Sequence, residues 1–251
     1  MKLAFSNTVP KDWRDLQNQT ARFLNQAGYH AVSPCEISTA RGKAEVDVLV
    51  DSPDELVKRI ICECKYWDSA VPKEKVHAFR TVVADSGASL GLLISKTGFQ
   101  SGAIEAAKYS NIQLVTWDEF LNIIKDRWIL TELRELKLSA GQLGLCFPMK
   151  IPYDMLLPED KDRYYELKQL NAEIQGTCFQ LTKTMLIGGL PENYCWYRLN
   201  EVNSIEEYIL LLKSDVDATY ASAMEVIKHS GLEKSIPYMC GQEGLFLMYL
   251  E

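Results

Sequence analysis

Two apolar segments with charges inside them constrain this chain more than any other feature. Glu45-Val46-Asp47-Val48-Leu49-Val50 and Ile60-Ile61-Cys62-Glu63-Cys64-Lys65-Tyr66-Trp67 have the residue content of buried strands, yet they carry Asp47, Glu63 and Lys65. An ionised group is costly to bury unless it is paired or holds a metal. Successive strand residues point to opposite faces. Ile61, Glu63, Lys65 and Trp67 therefore share one face, with Glu63 and Lys65 roughly 7 Å apart along the strand. A short turn at Asp51-Ser52-Pro53-Asp54 separates the segments. An antiparallel pairing across that turn lets Asp47 converge on Glu63 and Lys65.

The remaining pattern places this pair in a mixed sheet. Trp13, Leu16, Thr20, Phe23, Leu24 and Ala27 recur at helical spacing, and Gly28 follows as a C-cap. Tyr29 to Val32 enters a strand, and Ser33 to Lys43 reads as polar and irregular, with Pro34 and Gly42 as breakers. After the strand pair (Glu45–Val50 and Val57–Trp67), Val71 to Ala84 is a helix opened by Pro72, and Ala88 to Ser95 is an apolar strand suited to burial on both faces. A helix around Ala103 to Tyr109, a strand from Asn111 to Val115 and a longer helix from Trp117 to Leu138 complete an α-β-β-β-α-β-α-β order. The last strand-helix-strand step implies a parallel pair. The expected fold class is α/β (α+β), a mixed central sheet flanked by helices.

Beyond about Lys137 the pattern changes. Ser139 to Pro158 reads as loop, interrupted by Pro148, Pro152 and Pro158; Glu159 to about Gln175 as a charged helix broken at Gly176; Cys195 to Val202 as a strand. Ser204 and Glu207 form a capping box for a helix from Ile205 to His229, and Gly244 to Leu250 can close a small sheet. A division into 1–125 and 126–251 is expected, the second part being an α+β or a helical domain.

Composition narrows the function classes. No apolar run approaches the ~18 residues that span a bilayer, and Met1 to Asn18 lacks a signal-peptide core. Seven cysteines without a CxxC pair suggest reduced thiols packed as small hydrophobes in a cytoplasm, and not a zinc site. The net charge is -7; residues 1–125 hold 15 basic and 15 acidic side chains, the remainder 12 and 19. The negative surplus lies in the C-terminal half, which disfavours non-specific nucleic-acid binding there. The neutral N-terminal half still has room for a basic groove.

Two carboxylates beside a lysine suit Mg²⁺, with Mn²⁺ as a substitute. The ion takes oxygen ligands, keeps several waters, and needs few carboxylates when a phosphate supplies the rest. Asp47, Glu63 and the backbone carbonyl of Cys64 are the candidate ligands, and Lys65 the candidate group for orienting water and steadying developing charge.

Asp47 followed after fifteen residues by Glu63-Cys64-Lys65 resembles the PD-(D/E)xK nuclease superfamily. The surrounding order resembles its Mrr-type restriction endonuclease branch. A helix ends at Ala27-Gly28-Tyr29, a strand carries Asp47-Val48, and an apolar strand runs through Ser95-Lys96-Thr97-Gly98-Phe99-Gln100-Ser101-Gly102-Ala103 into a helix; Asn111 to Val115 matches the closing strand. The resemblance covers residues 10–125. It implies a restriction-endonuclease-like fold and a Mg²⁺-dependent endonuclease acting on double-stranded DNA in restriction or phage defence. The family's first-helix glutamate falls here on Gln17, with Asp15 as a possible substitute, while Glu45 shares strand parity with Asp47 and can join the site.

Other candidates carry plainer readings beside the sharper ones. Lys96, Thr97, Gln100 and Ser101 precede a helix N-terminus, where they suit either phosphate binding or capping. Lys73, Lys75 and Arg80 read as a solvated helix face before phosphate contacts. Trp67 reads as packing before base stacking, and His30, His77 and His229 as structural or exposed. The acidic C-terminal part is a candidate specificity, sensing or oligomerisation module, or a surface for a defence-system partner. Two alternatives share the same residues: a decayed, non-catalytic binding module marked by Gln17, and an RNase.

Overall fold

The computed structural model describes residues 1–52, 58–147 and 153–232. The chain divides into two compact units, one of Thr8–Thr131 and one of Met1–Asn7 with Glu132–Glu251.

The first unit opens with α1 (Trp13–Gln26), whose N-cap Asp12 accepts a bond from the Asp15 amide. It closes at Gly28, where φ is +80°, a left-handed value that glycine reaches without strain. Leu16, Thr20, Phe23 and Leu24 are buried, while Trp13 of the same periodic set is exposed. The strands are β1 (His30–Val32), β2 (Cys35–Thr39), β3 (Gly42–Val46), β4 (Val48–Asp51), β5 (Arg59–Lys65), β6 (Leu90–Ser95) and β7 (Ile112–Thr116). Helix α2 (Lys73–Asp85) lies between β5 and β6, α3 (Ser101–Ala107) between β6 and β7, and α4 (Trp117–Leu145) follows β7.

Five strands form one sheet in the order β1-β4-β5-β6-β7. β1·β4 and β4·β5 are antiparallel, and β5·β6 and β6·β7 parallel, so the mixed sheet flanked by helices is as expected. One face packs Ile61 and Leu93 against Val76, Phe79 and Val83 of α2 and Ala103 of α3. The opposite face meets α1, where the Thr20 hydroxyl lies 3.7 Å from Cys64 Sγ. Phe23 of α1 meets Trp117 of α4 edge-on, with ring centroids 5.9 Å apart.

Two sequence expectations are corrected here. The irregular stretch of 33–43 is a hairpin: β2 and β3 pair antiparallel as a separate two-stranded sheet, turning at Gly42 with φ +129°. The expected single strand of 45–50 is two strands, β3 and β4, which part at Asp47. Polar residues at the exposed positions of β2 hid the alternation that buries Ile37. Pro53, Asp54 and Val57, parts of the expected turn and strand start, lie outside the described residues.

In the second unit the described residues are helical: the C-terminal part of α4, then α5 (Lys161–Gln180), α6 (Lys183–Gly188) and α7 (Ile205–His229). Ser204 caps α7 by accepting from the Glu207 amide, and the Glu207 carboxylate accepts from the Asn203 amide at 2.7 Å. Three expectations fail. The loop expected from Ser139 is helix as far as Leu145, because Leu136, Ala140 and Leu143 continue a fully buried stripe. Gly176 lies inside α5, where its carbonyl accepts from the Tyr194 hydroxyl at 2.8 Å; it is a packing glycine and not a break. Residues 195–202 form turns and a short 3₁₀ segment (Leu199–Glu201), with Arg198 left-handed at φ +50°. Pro148, Pro152, Cys240 and the expected strand Gly244–Leu250 lie outside the described residues. No described helix is long and apolar enough to cross a membrane.

Candidate active site

The site arises where β4 ends against β5. Their ladder runs from Asp51↔Arg59 to Val48↔Cys62; one step further the register sets Asp47 opposite Glu63. At that step the chain bends away into the β2–β3 hairpin, while β5 continues to Lys65. Cys64 shares strand parity with Cys62, so its N–H points toward the missing β4 backbone. Asp47 supplies the substitute: its Oδ2 accepts from the Cys64 amide at 2.6 Å. The bend thus turns a ladder position into a carboxylate anchored on a neighbouring main chain. Oδ1 of the same carboxylate accepts from Gln17 Nε2 of α1 at 2.5 Å.

Glu63 and Lys65 project from β5 toward the α2 side of the sheet and form an ion pair. Their side chains are 26% and 18% exposed, so the pair is largely shielded from solvent. Burial pushes the Glu63 carboxyl above its ordinary range, and the nearby Asp47 charge adds to this; Lys65, and more weakly Lys75, oppose it. Two carboxylates sharing a half-buried place are what a divalent cation relieves.

The donors fit such an ion in kind. Asp47 and Glu63 offer hard oxygen donors, set opposite one another by the register beside the gap that β4 leaves. The Cys64 carbonyl faces the same gap as its amide, because both groups of a strand residue point to one side. The Cys64 thiol takes no part: it is buried beside Thr20 and its pKa is raised well above the ordinary 9.0, chiefly by that burial. Among the described residues no three His, Cys, Asp or Glu side chains gather into a metal cluster. The protein's share of an ion's shell here would be two carboxylates, with amide oxygens and water for the rest. Gln17 reaches the site, though its nitrogen and not its oxygen faces Asp47 as placed.

The other expected residues fall less directly. Asp15 is occupied at the start of α1, accepting from the Lys11 amide at 2.9 Å and Gln19 Nε2 at 3.1 Å. Glu45 is exposed on β3 opposite Glu36, since the bend at 47 cancels the two-residue parity that would have aligned it with Asp47. Lys96 pairs with Asp68 at 2.6 Å and lies 4.4 Å from the Tyr66 ring centroid. The Thr97 hydroxyl donates to the Ser69 carbonyl at 2.9 Å, and Gln100 caps α3 without a side-chain bond, just before Ser101. This segment is stitched to the 66–71 loop, with the Val71 amide on the Gly98 carbonyl and the Gln100 amide on the Val71 carbonyl. Its tie to β5 is the Lys96 amide, which donates to the Lys65 carbonyl at 3.0 Å.

Sequence spacing does not place Lys75, read as a solvated helix face or a phosphate contact, beside Trp67. Lys75, in the first turn of α2, lies 5.8 Å from the Trp67 ring centroid, and Lys65 lies 5.7 Å from the same centroid. The available signal was Pro72, which starts α2 so soon after Trp67 that its first turn must stand beside the end of β5. Arg80 of the same helix instead donates to the Ala106 carbonyl at 3.0 Å, a structural role.

No curated protein matches the chain. A crystal structure of a protein of unknown function, AF1548, aligns over 87% of this chain and 100% of its own with a TM-score of 0.40 and 14% identity, a likeness too distant to carry argument. The family model of the Mrr catalytic domain, described as restriction endonuclease, matches residues 11–124. That span runs from the start of α1 into α4 and takes in Gln17, Asp47, Glu63 and Lys65. Residues 11–124 of this chain are thus similar to a restriction endonuclease domain of the Mrr type.

Proposed function

We propose that this domain is a Mg²⁺-dependent endonuclease hydrolysing phosphodiester bonds of double-stranded DNA, in restriction or phage defence. The observation that carries the reading is the convergence of Asp47, Glu63 and Lys65 where β4 leaves β5. Asp47, Glu63 and the Cys64 carbonyl would hold the ion, with Gln17 joining through its amide oxygen or a water. A bound divalent ion polarises a phosphoryl oxygen and lowers the pKa of a coordinated water.

The chain's own residues supply position and charge. The Cys64 amide and Gln17 fix both oxygens of Asp47, so the carboxylate is set before substrate arrives. Lys65 leaves Glu63 as that carboxylate turns to a cation, and its ammonium then orients the attacking water and meets charge developing on the phosphoryl oxygens. The helical second unit, with its acidic surplus, serves specificity, sensing or oligomerisation, since it adds no phosphate-binding charge.

Nicking of a supercoiled plasmid with Mg²⁺ tests this against Lys65→Ala and Asp47→Ala. Loss of a single such group costs on the order of 100-fold or more in rate. Equal activity in the three proteins would sink the assignment. Degradation of single-stranded RNA without DNA nicking would move the same residues to an RNase.

A further inference from the structure

Helix α2 presents three cations in its first two turns, and they have different fates. The Lys73 stem packs near Gly102, 3.6 Å from where a Cβ there would stand, and Arg80 ties α2 to the end of α3. Lys75 is exposed and, among the described residues, makes no ion pair. It is not adrift. Trp67 holds it within 5.8 Å of the ring centroid while holding Lys65 within 5.7 Å, so one indole gathers two ammonium groups. The distance between those groups cannot exceed the sum of the two. Glu63 feels both charges.

Two like charges gathered at one indole suit an anion with more than one charged centre. Lys65 already answers to Glu63, and Lys96, on the neighbouring strand end, to Asp68. Of these three lysines, Lys75 has no ion-pair partner among the described residues. A nucleic-acid strand carries one phosphate per 3.4 Å of axial rise, so a phosphate beside the one being cut falls within reach of a second lysine near the first.

We propose that Lys75, steered by Trp67, binds the phosphate next to the scissile one on double-stranded DNA. This rests on the nuclease reading above. Lys75 is then a substrate-binding residue and Trp67 a positioning residue, and the aromatic-cation pairing at the end of β5 has a use beyond packing.

The test is a fluorescent duplex bound by the full chain in Ca²⁺ across a salt series, alongside steady-state cleavage in Mg²⁺. Removing one phosphate contact flattens the slope of log K against log salt by about 0.9. Lys75→Ala should show that change, weaken binding about fivefold whatever the duplex sequence, and carry its loss in KM. Lys75→Arg should keep the wild-type slope. Trp67→Leu should flatten the slope in the same direction with Lys75 intact. A Lys75→Ala protein with wild-type slope and KM overturns the proposal while leaving the nuclease reading standing. So does a loss confined to kcat. A wild-type protein that neither binds nor nicks DNA overturns the reading beneath it, and the role of Lys75 with it.

Discussion

Gln17 Nε2 donates to Asp47 Oδ1 at 2.5 Å, while the other oxygen of that carboxylate is held by the Cys64 amide. An amide therefore stands where a third acidic ligand would complete the pocket, and it stabilises the metal-free carboxylate by neutral donation. Gln17→Glu reverses both effects. Two carboxylates at hydrogen-bond range repel when no cation lies between them, and a hydrogen bond to a charged group worth about 1.5–3 kcal/mol is lost. The variant should melt several degrees lower without divalent ions, and Mg²⁺ should raise its Tm more than that of the wild type. Calorimetric Mg²⁺ affinity should rise on the order of tenfold. Unchanged affinity with unchanged stability would mean Gln17 stands outside the metal shell.

Glu63 sets the direction of the pH dependence. Burial, reinforced by Asp47, raises its pKa above the ordinary 4.5. A carboxyl raised on folding favours the folded state below its unfolded pKa, and this contribution is lost as pH rises through the folded value. At neutral pH the ionised group is thus a net burden on the metal-free fold. Glu63→Gln, whose Oε1 still accepts from Lys65, should raise the metal-free Tm at pH 7, with the gain shrinking as the pH is lowered. It should also abolish the Mg²⁺-induced rise in Tm. For the wild type, Mg²⁺ affinity should decline on acidification with a midpoint above 4.5, because binding displaces the proton. Calorimetry at stepped pH reads that midpoint; one at or below 4.5 contradicts the raised carboxyl.

Gly91 marks where the sheet is tightest. It lies in β6, and a Cβ there would come within 2.5 Å of Ile112 Cδ1, 2.6 Å of Val83 Cγ2 and 2.9 Å of Phe79 Cε1. Those side chains belong to the packed layer that seats α2 over β5 and β6. Gly91→Val should cost about 1–3 kcal/mol in denaturant unfolding, as overpacked cores do. Because α2 carries Lys75, the displacement should weaken DNA binding as well as stability. A variant as stable as the wild type would show that α2 lifts without penalty.

Most of this domain was legible from the sequence because its signals are local. Alternating parity set Glu63 beside Lys65, and the apolar run at 90–95 announced a strand covered on both faces. The break at Asp47 was not legible. Val46 and Val48 read as one continuous strand, and only the competing pairing of β3 with β2 pulls the chain out of the sheet there. Parity counted through that bend wrongly favoured Glu45. The place of Lys75 beside Trp67 was hidden for a related reason: helix spacing sorts exposed from buried residues but does not say which exposed one stands next to Trp67. In the second unit, Gly176 was read as a breaker and Ser139 as the start of a loop, whereas tertiary packing by Tyr194 and the Leu136-Ala140-Leu143 stripe decided the helices.

Thiol chemistry offers an independent view of how the two units open. Burial pushes the Cys62 thiol up to about 12, with Asp47 adding to the effect, and raises Cys64 well above its ordinary value. In the second unit, Cys146 is raised to about 11 and Cys178 to about 12, again by burial. The thiolate is the reactive form, so all four should resist alkylation at pH 8 in the native state. Among the described cysteines, Cys195, which is exposed, and Cys35, which is partly so, should react first. Pulsed iodoacetamide labelling along a urea gradient, read by peptide mass, then follows Cys62 and Cys64 for the nuclease unit and Cys146 and Cys178 for the other. Mg²⁺ should move the Cys62 and Cys64 transition to higher urea and leave the second pair where it was, since an ion held by Asp47 and Glu63 stabilises only the fold that brings them together. A Mg²⁺ shift of equal size in all four cysteines, or in none, would place the ion elsewhere.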